Sequence, residues 1–412
     1  MIKIQNKQDC CGCSACVQRC PRHCISMKED EEGFLYPVVD ESVCISCGLC
    51  EKVCPIINRP KKQPVMEVLA VKNRNEAERI ASSSGGVFIA LAKKTLEKGG
   101  VVFGAVFDEN WEVRHTYAET LDGVRPMMGS KYVQSRIENS YREAETFLKQ
   151  GREVLFTGSP CQITGLHTYL RKDYPNLLAV DFLCHGVPSP GVWRRYLDET
   201  FSRSALRAAA GKNTVLSSSL KSLPVITGIE FRDKTLHGWK KYSFVVRGES
   251  ASKADKNSVL LSDIHKDNIY MRGFLSDVYI RPSCYRCRCK NGVSHSDLTI
   301  ADFWGVPVAM PDFDDDKGVG LVLVNTDKGK AVFDVLDMDV RSTTVEAAKV
   351  ANGGFNEEVK AHPKRNLFFF GYQNAINIIE NIHQVLKISL FKKCINKTKK
   401  LSRKIIKKTF GK

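Results

Sequence analysis

Eight cysteines near the N-terminal end are the residues best suited to chemistry, because thiolates bind iron-sulfur clusters and zinc. They form two runs with the spacing C-x2-C-x2-C-x3-C-P, and each member of the second run stands 34 residues after its counterpart. Three closely spaced thiolates wrap three corners of an iron-sulfur cube, the fourth crosses to the other cube, and the proline bends the chain. The runs are Cys10, Cys13, Cys16, Cys20, Pro21 and Cys44, Cys47, Cys50, Cys54, Pro55.

This spacing is that of bacterial two-cluster ferredoxins, and it predicts two 4Fe-4S clusters. A pair of four-cysteine zinc sites is the alternative, but such sites need two separated pairs rather than three cysteines in series. Cys11 and Cys24 are left over, and spare cysteines are more often packing residues than ligands. The predicted ligand sets are Cys10, Cys13, Cys16 and Cys54 for one cluster, and Cys44, Cys47, Cys50 and Cys20 for the other.

Further cysteines follow predicted strands in the middle of the chain. Cys161 comes after the turn Thr157-Gly158-Ser159-Pro160 and opens a helix, a position that favours thiolate over thiol. Cys184 ends the next apolar strand, and because ligands of open α/β sheets gather at this edge, both thiols should share one rim. With Cys284 and Cys287 they could bind a third cluster. The alternative keeps the first two as packing residues and gives the later pair a minor zinc role.

The segment from Ser82 to Gly86 opens an apolar helix, where free N–H groups and the helix dipole favour a phosphate. A pyrophosphate-bearing cofactor would fit, whereas the alternative is an ordinary serine cap with a glycine packed for space. Lys131 and Tyr132 could hold the anionic and ring portions of a flavin, or be a solvated turn residue and a packed aromatic. His185 is a candidate proton carrier, although most histidines are structural.

Strand and helix patterns alternate in the segments that must position these residues. Apolar strands at 68–71, 154–157 and 177–183 precede helical stretches, and the last two predict parallel strands with helical crossovers. The second half is mixed α+β, with strands predicted at 228–231, 242–246 and 298–301 and a loop at 202–222.

The length of 412 residues predicts two or three domains, and 43% hydrophobic residues can build a sizeable core. The longest clean apolar run, residues 101–107, is shorter than the roughly 20 residues of a membrane-spanning helix. Sixteen cysteines in a long chain with no hydrophobic signal core indicate metal or redox work in a reducing compartment. We therefore expect a cytoplasmic protein.

The net charge of +16 is concentrated at the C-terminal end. Residues 385–412 hold eleven Lys or Arg and no acid, which leaves +5 for the preceding 384 residues. The basic amphipathic pattern predicts peripheral contact with the anionic inner face of the cell membrane, and a solvated end is the alternative. Because no nucleic-acid-binding fold is recognisable elsewhere, we expect no nucleic acid partner.

Several motifs together resemble the coenzyme F420 hydrogenase/dehydrogenase beta subunit family, fused to an N-terminal dicluster ferredoxin domain. The resemblance covers about residues 1–325. Besides the two cysteine runs, the motifs are Ser83-Ser84-Gly85-Gly86-Val87, Gly129-Ser130-Lys131-Tyr132-Val133-Gln134-Ser135, Gly158-Ser159-Pro160-Cys161-Gln162, Cys184-His185-Gly186-Val187-Pro188-Ser189, Arg281-Pro282-Ser283-Cys284 and Ala301-Asp302-Phe303-Trp304-Gly305.

This resemblance implies an FAD-binding iron-sulfur flavoprotein with a third 4Fe-4S cluster. Its expected ligands are Cys161, Cys184, Cys284 and Cys287. Cys289 adds a thiol nearby and could replace Cys287. The catalytic candidates are His185 and Lys131, and the expected FAD contacts are Ser84, Gly85, Gly86, Ser130, Lys131, Tyr132 and Gln134.

The expected fold is α+β and multidomain. A dicluster ferredoxin-like module (1–62) precedes an α/β to α+β flavoprotein core, whose family N-terminal and C-terminal domains are expected at 63–150 and 151–375. A basic amphipathic tail (376–412) ends the chain.

The favoured function is an oxidoreductase that relays single electrons between clusters and FAD, for two-electron chemistry on a small substrate, with coenzyme F420 as one candidate. Ferredoxin or another redox protein would be its partner. The alternative is a non-catalytic electron-transfer subunit that feeds a partner enzyme.

Overall fold

The fold was analysed in a computed structural model, which describes residues 1–201, 225–249, 257–355 and 359–387. The loop predicted at 202–222 and the tail after residue 387 lie outside the described residues. The strands are β1 (Ile25–Glu29), β2 (Leu35–Val39), β3 (Glu67–Asn73), β4 (Val101–Phe107), β5 (Val113–Ala118), β6 (Val154–Gly158), β7 (Leu177–Phe182), β8 (Val225–Asp233), β9 (Ser243–Glu249), β10 (Ser258–Ile264), β11 (Leu298–Asp302), β12 (Gly320–Val324) and β13 (Met338–Ser342).

Short helices dominate the helical part of the described chain. They are α1 (Ala15–Arg19), α2 (Leu49–Lys52), α3 (Glu76–Ala81), α4 (Val87–Glu97), α5 (Leu121–Val124), α6 (Ser140–Lys149), α7 (Pro160–Leu170), α8 (Pro190–Phe201), α9 (Ile269–Leu275), α10 (Val306–Ala309), α11 (Asp327–Phe333), α12 (Val345–Lys349), α13 (Arg365–Gln373) and α14 (Ile378–Leu386). Where the structure describes the chain, every helix is too short or too polar to span a bilayer.

The N-terminal module contains the antiparallel pair β1 and β2 and the two short helices α1 and α2. The sequence duplication is also a backbone duplication. Gly12 and Ser46 are equivalent positions with φ of 73° and 52°, and Ser14 and Gly48 are equivalent positions with φ of 60° and 70°. Left-handed backbone at these places makes a tight loop whose N–H groups can face the cysteine sulfurs.

An eight-stranded sheet forms the centre of the core, in the order β13-β3-β12-β11-β7-β6-β4-β5. The predicted parallel arrangement is confirmed for β6 beside β7, with α7 between them in the chain. The strands β3, β12 and β13 pair antiparallel on one side. Strands on both sides of residue 150, the predicted domain boundary, therefore belong to one sheet.

A second, three-stranded antiparallel sheet contains β8, β9 and β10 and packs with helices α8 and α9. The largest cluster of buried apolar side chains joins this sheet to the N-terminal module. Phe34 and Tyr36 of the module share it with Trp193 of α8 and Phe231 of β8. The cysteine module is thus packed into the molecule rather than attached by a linker alone.

Candidate functional site

The first cavity in the N-terminal module is lined mainly by sulfur and apolar side chains. The backbone N–H groups of Gly12 and Ala15 bond to the sulfurs of Cys10 and Cys13 and favour their thiolate forms. Such hydrogen bonds are typical of iron-sulfur ligands. The predicted ligands that line this cavity are Cys10, Cys13, Cys16 and Cys54.

The second cavity lies nearer the surface, with Cys47 exposed. The Ile2 N–H donates to Cys50 Sγ at 3.2 Å, and the Ser46 N–H donates to Cys44 Sγ at 3.4 Å. Cys24 also lines this cavity and lies 3.4 Å from Cys20, sulfur to sulfur. The predicted ligands that line it are Cys20, Cys44, Cys47 and Cys50.

The thiols surround these cavities and do not converge on one point. Within residues 1–201, 225–249, 257–355 and 359–387, no group of three or more His, Cys, Asp or Glu side chains could hold a single metal ion. A tetrahedral zinc ion needs four donors about 2.3 Å from one centre. In a 4Fe-4S cube each thiolate binds a separate iron, so the ligands of a cluster surround a cavity instead of meeting at one point.

A third thiol-lined cavity lies where the N-terminal module meets the core. Cys161 stands in the first turn of α7, with its Sγ 3.3 Å from Ser159 Oγ, and Cys184 follows β7. The predicted common rim for these two thiols is therefore found. The six thiols that line the cavity are those of Cys11, Cys161, Cys184, Cys284, Cys287 and Cys289.

The third cavity is buried and carries local positive charge. A hydrogen bond with Cys11, together with one from Ser159, lowers the pKa of Cys161 to about 7. Burial raises the pKa of Cys184 well above its usual value, while the nearby Lys290 ammonium acts in the opposite direction. The Lys290 Nζ also donates to the His185 carbonyl at 3.3 Å.

Cys11 connects the first and third cavities, since it lines both. Its neighbours include Cys13, a predicted ligand of the first cluster, and Cys161, a predicted ligand of the third, and together they raise the pKa of Cys11 well above its usual value. Gly165 allows α7 to lie close to Cys13, because a Cβ at this position would lie 3.0 Å from the Cys13 sulfur. The position of Cys11 could not be read from the cysteine spacing, which left it without a partner.

The segment predicted to bind phosphate precedes α4, which begins after Gly86 and has no side-chain cap. Ser84 Oγ donates to the Val319 carbonyl at 2.9 Å. A Cβ at Gly85 would lie 2.5 Å from both the Gly320 nitrogen and the Val71 oxygen. The packing interpretation of this glycine therefore has direct structural support, while a contact with FAD stays a prediction.

Replacing Gly85 with Ala should destabilise the fold by about 1–3 kcal/mol, because the added methyl overpacks the junction of β3 and β12. The measurement is chemical denaturation of the flavin-free protein. Gly353→Ala is a matched control for local collision, since nothing lies within 4 Å of a Cβ there and its backbone is not left-handed. A loss of flavin affinity with unchanged stability would instead assign Gly85 to cofactor binding alone.

The structure brings the two segments predicted to contact FAD together. The Ser130 N–H donates to Ser83 Oγ at 2.7 Å, and the two hydroxyl oxygens lie 2.9 Å apart. Lys131 Nζ donates to the carbonyls of Met128 and Gly129 at 3.1 and 3.3 Å. Burial lowers the pKa of Lys131 to about 7, so this amine can change protonation near neutrality.

The rings of Tyr132 and His185 both contact the ring of Phe274. The Tyr132 and Phe274 ring centroids are 4.9 Å apart, and those of His185 and Phe274 are 5.3 Å apart. His185 Nε2 lies 2.7 Å from an Asp277 carboxylate oxygen. The backbone of Asp277 has φ of 60°, which is uncommon outside glycine and indicates that its position is imposed by the fold.

Gln134 occupies a different place from the other predicted FAD contacts. Its amide donates to the Cys11 carbonyl at 3.1 Å and accepts from Arg281 Nη1 at 2.9 Å. The structure therefore places Gln134 at the cysteine loop of the N-terminal module. Its contact with FAD stays a prediction.

Functional candidates missed in the sequence lie beside Tyr132. Arg232 forms a bidentate ion pair with Asp302, and its guanidinium carbon lies 5.1 Å from the ring centroid of Trp304. Trp304 stacks on Trp239 with centroids 4.6 Å apart and an interplanar angle of 4°. The motif containing Asp302 and Trp304 offered a signal at the end of β11, whereas nothing local distinguished Arg232.

Comparisons with known proteins agree with this arrangement. Residues 9–56 match the 4Fe-4S dicluster domain. Residues 151–349 match the family described as the C terminus of the coenzyme F420 hydrogenase/dehydrogenase beta subunit.

Three relatives illustrate the similarity. The F subunit of F(420)H(2) dehydrogenase from Methanosarcina mazei is 22% identical over 338 residues, which cover 79% of this chain and 82% of that protein. Coenzyme F420-dependent sulfite reductase of Methanocaldococcus jannaschii is 28% identical over 159 residues, 38% of this chain and 24% of that enzyme. A chain of the F420-reducing NiFe hydrogenase complex from Methanosarcina barkeri aligns over 77% of this chain and 91% of its own, with TM-score 0.42 and 16% identity.

The two matches to domain families, at residues 9–56 and 151–349, cover the parts of the chain that line the first two cavities and most of the third. They also agree with the motifs that carry the resemblance. Residues 151–349 are therefore similar to the C-terminal part of the coenzyme F420 hydrogenase/dehydrogenase beta subunit, and residues 9–56 form a 4Fe-4S dicluster domain.

Proposed function

We propose that this protein is an iron-sulfur flavoprotein oxidoreductase that relays single electrons between its clusters and FAD. The observation that carries the proposal is the link between two thiol-lined cavities, since Cys11 lines both the first and the third. The exposed Cys47 at the second cavity offers an entry for electrons from ferredoxin or another redox protein. The proposed third cluster would be bound by Cys161, Cys184, Cys284 and Cys287.

The residues near Tyr132 support a flavin site next to the third cavity. Bound FAD would supply the step between one-electron and two-electron chemistry. Ser130 and Lys131 offer a hydroxyl and an amine for the anionic portion, and Tyr132 and Trp304 offer aromatic surface for the ring system. Gly86 leaves the first N–H groups of α4 without a side-chain cap, which favours a phosphate there.

His185 is proposed to carry a proton to or from the substrate, because an imidazole ring can both donate and accept one. The Asp277 carboxylate accepts from the ring at 2.7 Å and so fixes which nitrogen carries hydrogen. The side chain of His185 is 39% exposed, so solvent can reload it. We propose coenzyme F420 as the first substrate to test, since the relatives' names contain it.

A second function is that of a non-catalytic subunit that delivers electrons to a partner enzyme. The 22% identical relative that spans 79% of this chain is named as a subunit, which favours this alternative. A catalytic protein would reduce or oxidise its substrate alone, whereas a delivery subunit would be inactive until its partner is added.

Anaerobic reconstitution followed by iron counting and flavin extraction tests the proposal. The expected content is about twelve irons and one FAD per chain, with visible absorbance that dithionite bleaches reversibly. A colourless, zinc-containing preparation without flavin would overturn the proposal. Mixing the reduced protein with coenzyme F420, with and without a candidate partner enzyme, separates the catalytic protein from the delivery subunit.

The cellular location is also a proposal. A cytoplasmic protein whose segment 376–412 touches anionic lipid agrees with the charge of that segment. Co-sedimentation with phosphatidylserine vesicles, compared with neutral vesicles, tests the contact.

A further inference from the structure

Arg281 is a fully buried cation at the junction of the N-terminal module and the core, with no exposed surface. Its guanidinium donates to the carbonyls of Cys10 and Leu35 at 2.8 and 3.0 Å and to Gln134 Oε1 at 2.9 Å. It also stacks over the Tyr36 ring, 4.2 Å from the centroid. These contacts use its hydrogen-bond donors but supply no negative charge.

The other buried arginines of the described chain have carboxylate partners. Arg79 pairs with Asp315, and Arg232 pairs with Asp302. Among the described residues, no carboxylate oxygen forms an ion pair with Arg281 within 4.0 Å. Because an arginine stays protonated when buried and an unpaired buried charge costs several kcal/mol, Arg281 needs another source of negative charge.

A cysteine sulfur, and not a carboxylate, lies beside the Arg281 guanidinium. Arg281 Nη2 lies 3.7 Å from Cys10 Sγ, and its charge favours the thiolates of Cys13, Cys161 and Cys284. These cysteines belong to the first and third cavities. Burial and hydrogen bonds within its own loop are the strongest influences on Cys20 of the second cavity.

We propose that Arg281 is the shared counter-charge of the first and third clusters and raises the reduction potentials of both above that of a neutral environment. The inference rests on the proposed function, because it requires that both clusters bind. Reduction adds one negative charge to a cluster, and a fixed neighbouring cation stabilises the more negative state. The reduction potential of the second cluster should not depend on Arg281. The clusters of the relay would then be ordered by their reduction potentials.

Redox titration of the reconstituted protein, followed by electron paramagnetic resonance, tests this role. Arg281→Gln should make reduction of the first and third clusters at least tenfold less favourable, which is 59 mV for a one-electron couple. Arg281→Lys should restore most of the shift because the charge is kept. The second cluster is an internal control, and its signal is identified by its change in Cys47→Ser.

Gln134→Glu provides a second test that leaves Arg281 in place. It puts a carboxylate where the amide oxygen now lies 2.9 Å from Nη1, so it should lower the same two potentials. This variant keeps the inference falsifiable if Arg281→Gln fails to assemble. Arg341→Gln on β13, which removes an exposed arginine paired with Asp312, is the control for net charge.

The outcomes separate the inference from the function on which it rests. A wild-type protein that binds no clusters would contradict the proposed function. Assembled clusters whose potentials are the same in wild type, Arg281→Gln and Gln134→Glu would overturn the inference alone. An equal shift in Arg341→Gln would also overturn it, because the effect would then be one of net charge.

Discussion

Cys184→Ser should lower the iron content of the reconstituted protein from about twelve to about eight atoms per chain, because one of the three clusters loses a ligand. The thiols that act most strongly on Cys184 are those of Cys284, Cys161 and Cys287. These are the other three proposed ligands of the third cluster. Iron and sulfide analysis, with electron paramagnetic resonance of the reduced protein, provides the measurement.

Cys289→Ser is the matched control, because this thiol lines the same cavity but is 1% exposed and lies among apolar residues that include Ile56. It should keep about twelve irons if Cys287 is the ligand. Loss of iron in Cys289→Ser with retention in Cys287→Ser would exchange the two assignments. Twelve irons in Cys184→Ser would remove the third cluster from this cavity.

Local sequence predicted the parts of this site that depend on local geometry. The 34-residue repeat of cysteines is matched in the structure by left-handed backbone at the equivalent residues Gly12 and Ser46. The common rim of Cys161 and Cys184 followed from two strands that proved to be adjacent and parallel. In each case the positions follow from a turn or from neighbouring strands, so short segments of sequence contain the information.

Contacts between distant segments were not predictable in this way. Cys11 was left without a role because its neighbour Cys161 is 150 residues away in the chain. Arg281 and Gln134 meet the loop of the N-terminal module only when the core closes on it. The spacing of hydrophobic residues does not indicate which distant charges an arginine will contact. The electrostatics of the site could therefore be described only from the structure.

The antiparallel part of the large sheet was missed for a similar reason. The strand predicted at 68–71 lies within β3, but β12 and β13 were not predicted, and the pairing of these three strands depends on long connections. The close packing of Gly85 against Gly320 and Val71 follows from that pairing. The same glycine could therefore be read either as a phosphate-binding residue or as a packing residue until the sheet order was known.

Binding of FAD to the flavin-free protein at pH 8 should take up about one proton, because Lys131 is then mostly neutral and a phosphate nearby favours its charged form. Burial lowers the pKa of Lys131 to about 7 in the flavin-free protein, and an adjacent anion would raise it. At pH 6 the amine is already charged, so the uptake should nearly vanish. Calorimetry in two buffers with different ionisation enthalpies measures the number of protons.

The neighbouring groups make specific controls necessary. Burial lowers the pKa of His115 to about 4, so this ring stays neutral at both pH values. Lys234 also has a pKa lowered by burial to about 7, and its Nζ donates to the Arg79, Ser84 and Lys317 carbonyls. It is therefore the competing source of the signal.

Lys131→Met should abolish the uptake and weaken FAD binding, whereas Lys131→Arg should bind FAD without uptake because its guanidinium is always charged. Lys131 and Lys234 also make the stability of the folded protein depend on pH. Since the unfolded chain keeps its lysines protonated up to about pH 10, stability should rise with pH between about 7 and 10. Lys131→Met should flatten part of that rise. If Lys131→Met still takes up a full proton and Lys234→Met does not, the phosphate lies beside Lys234, and Lys131 has no part in binding it.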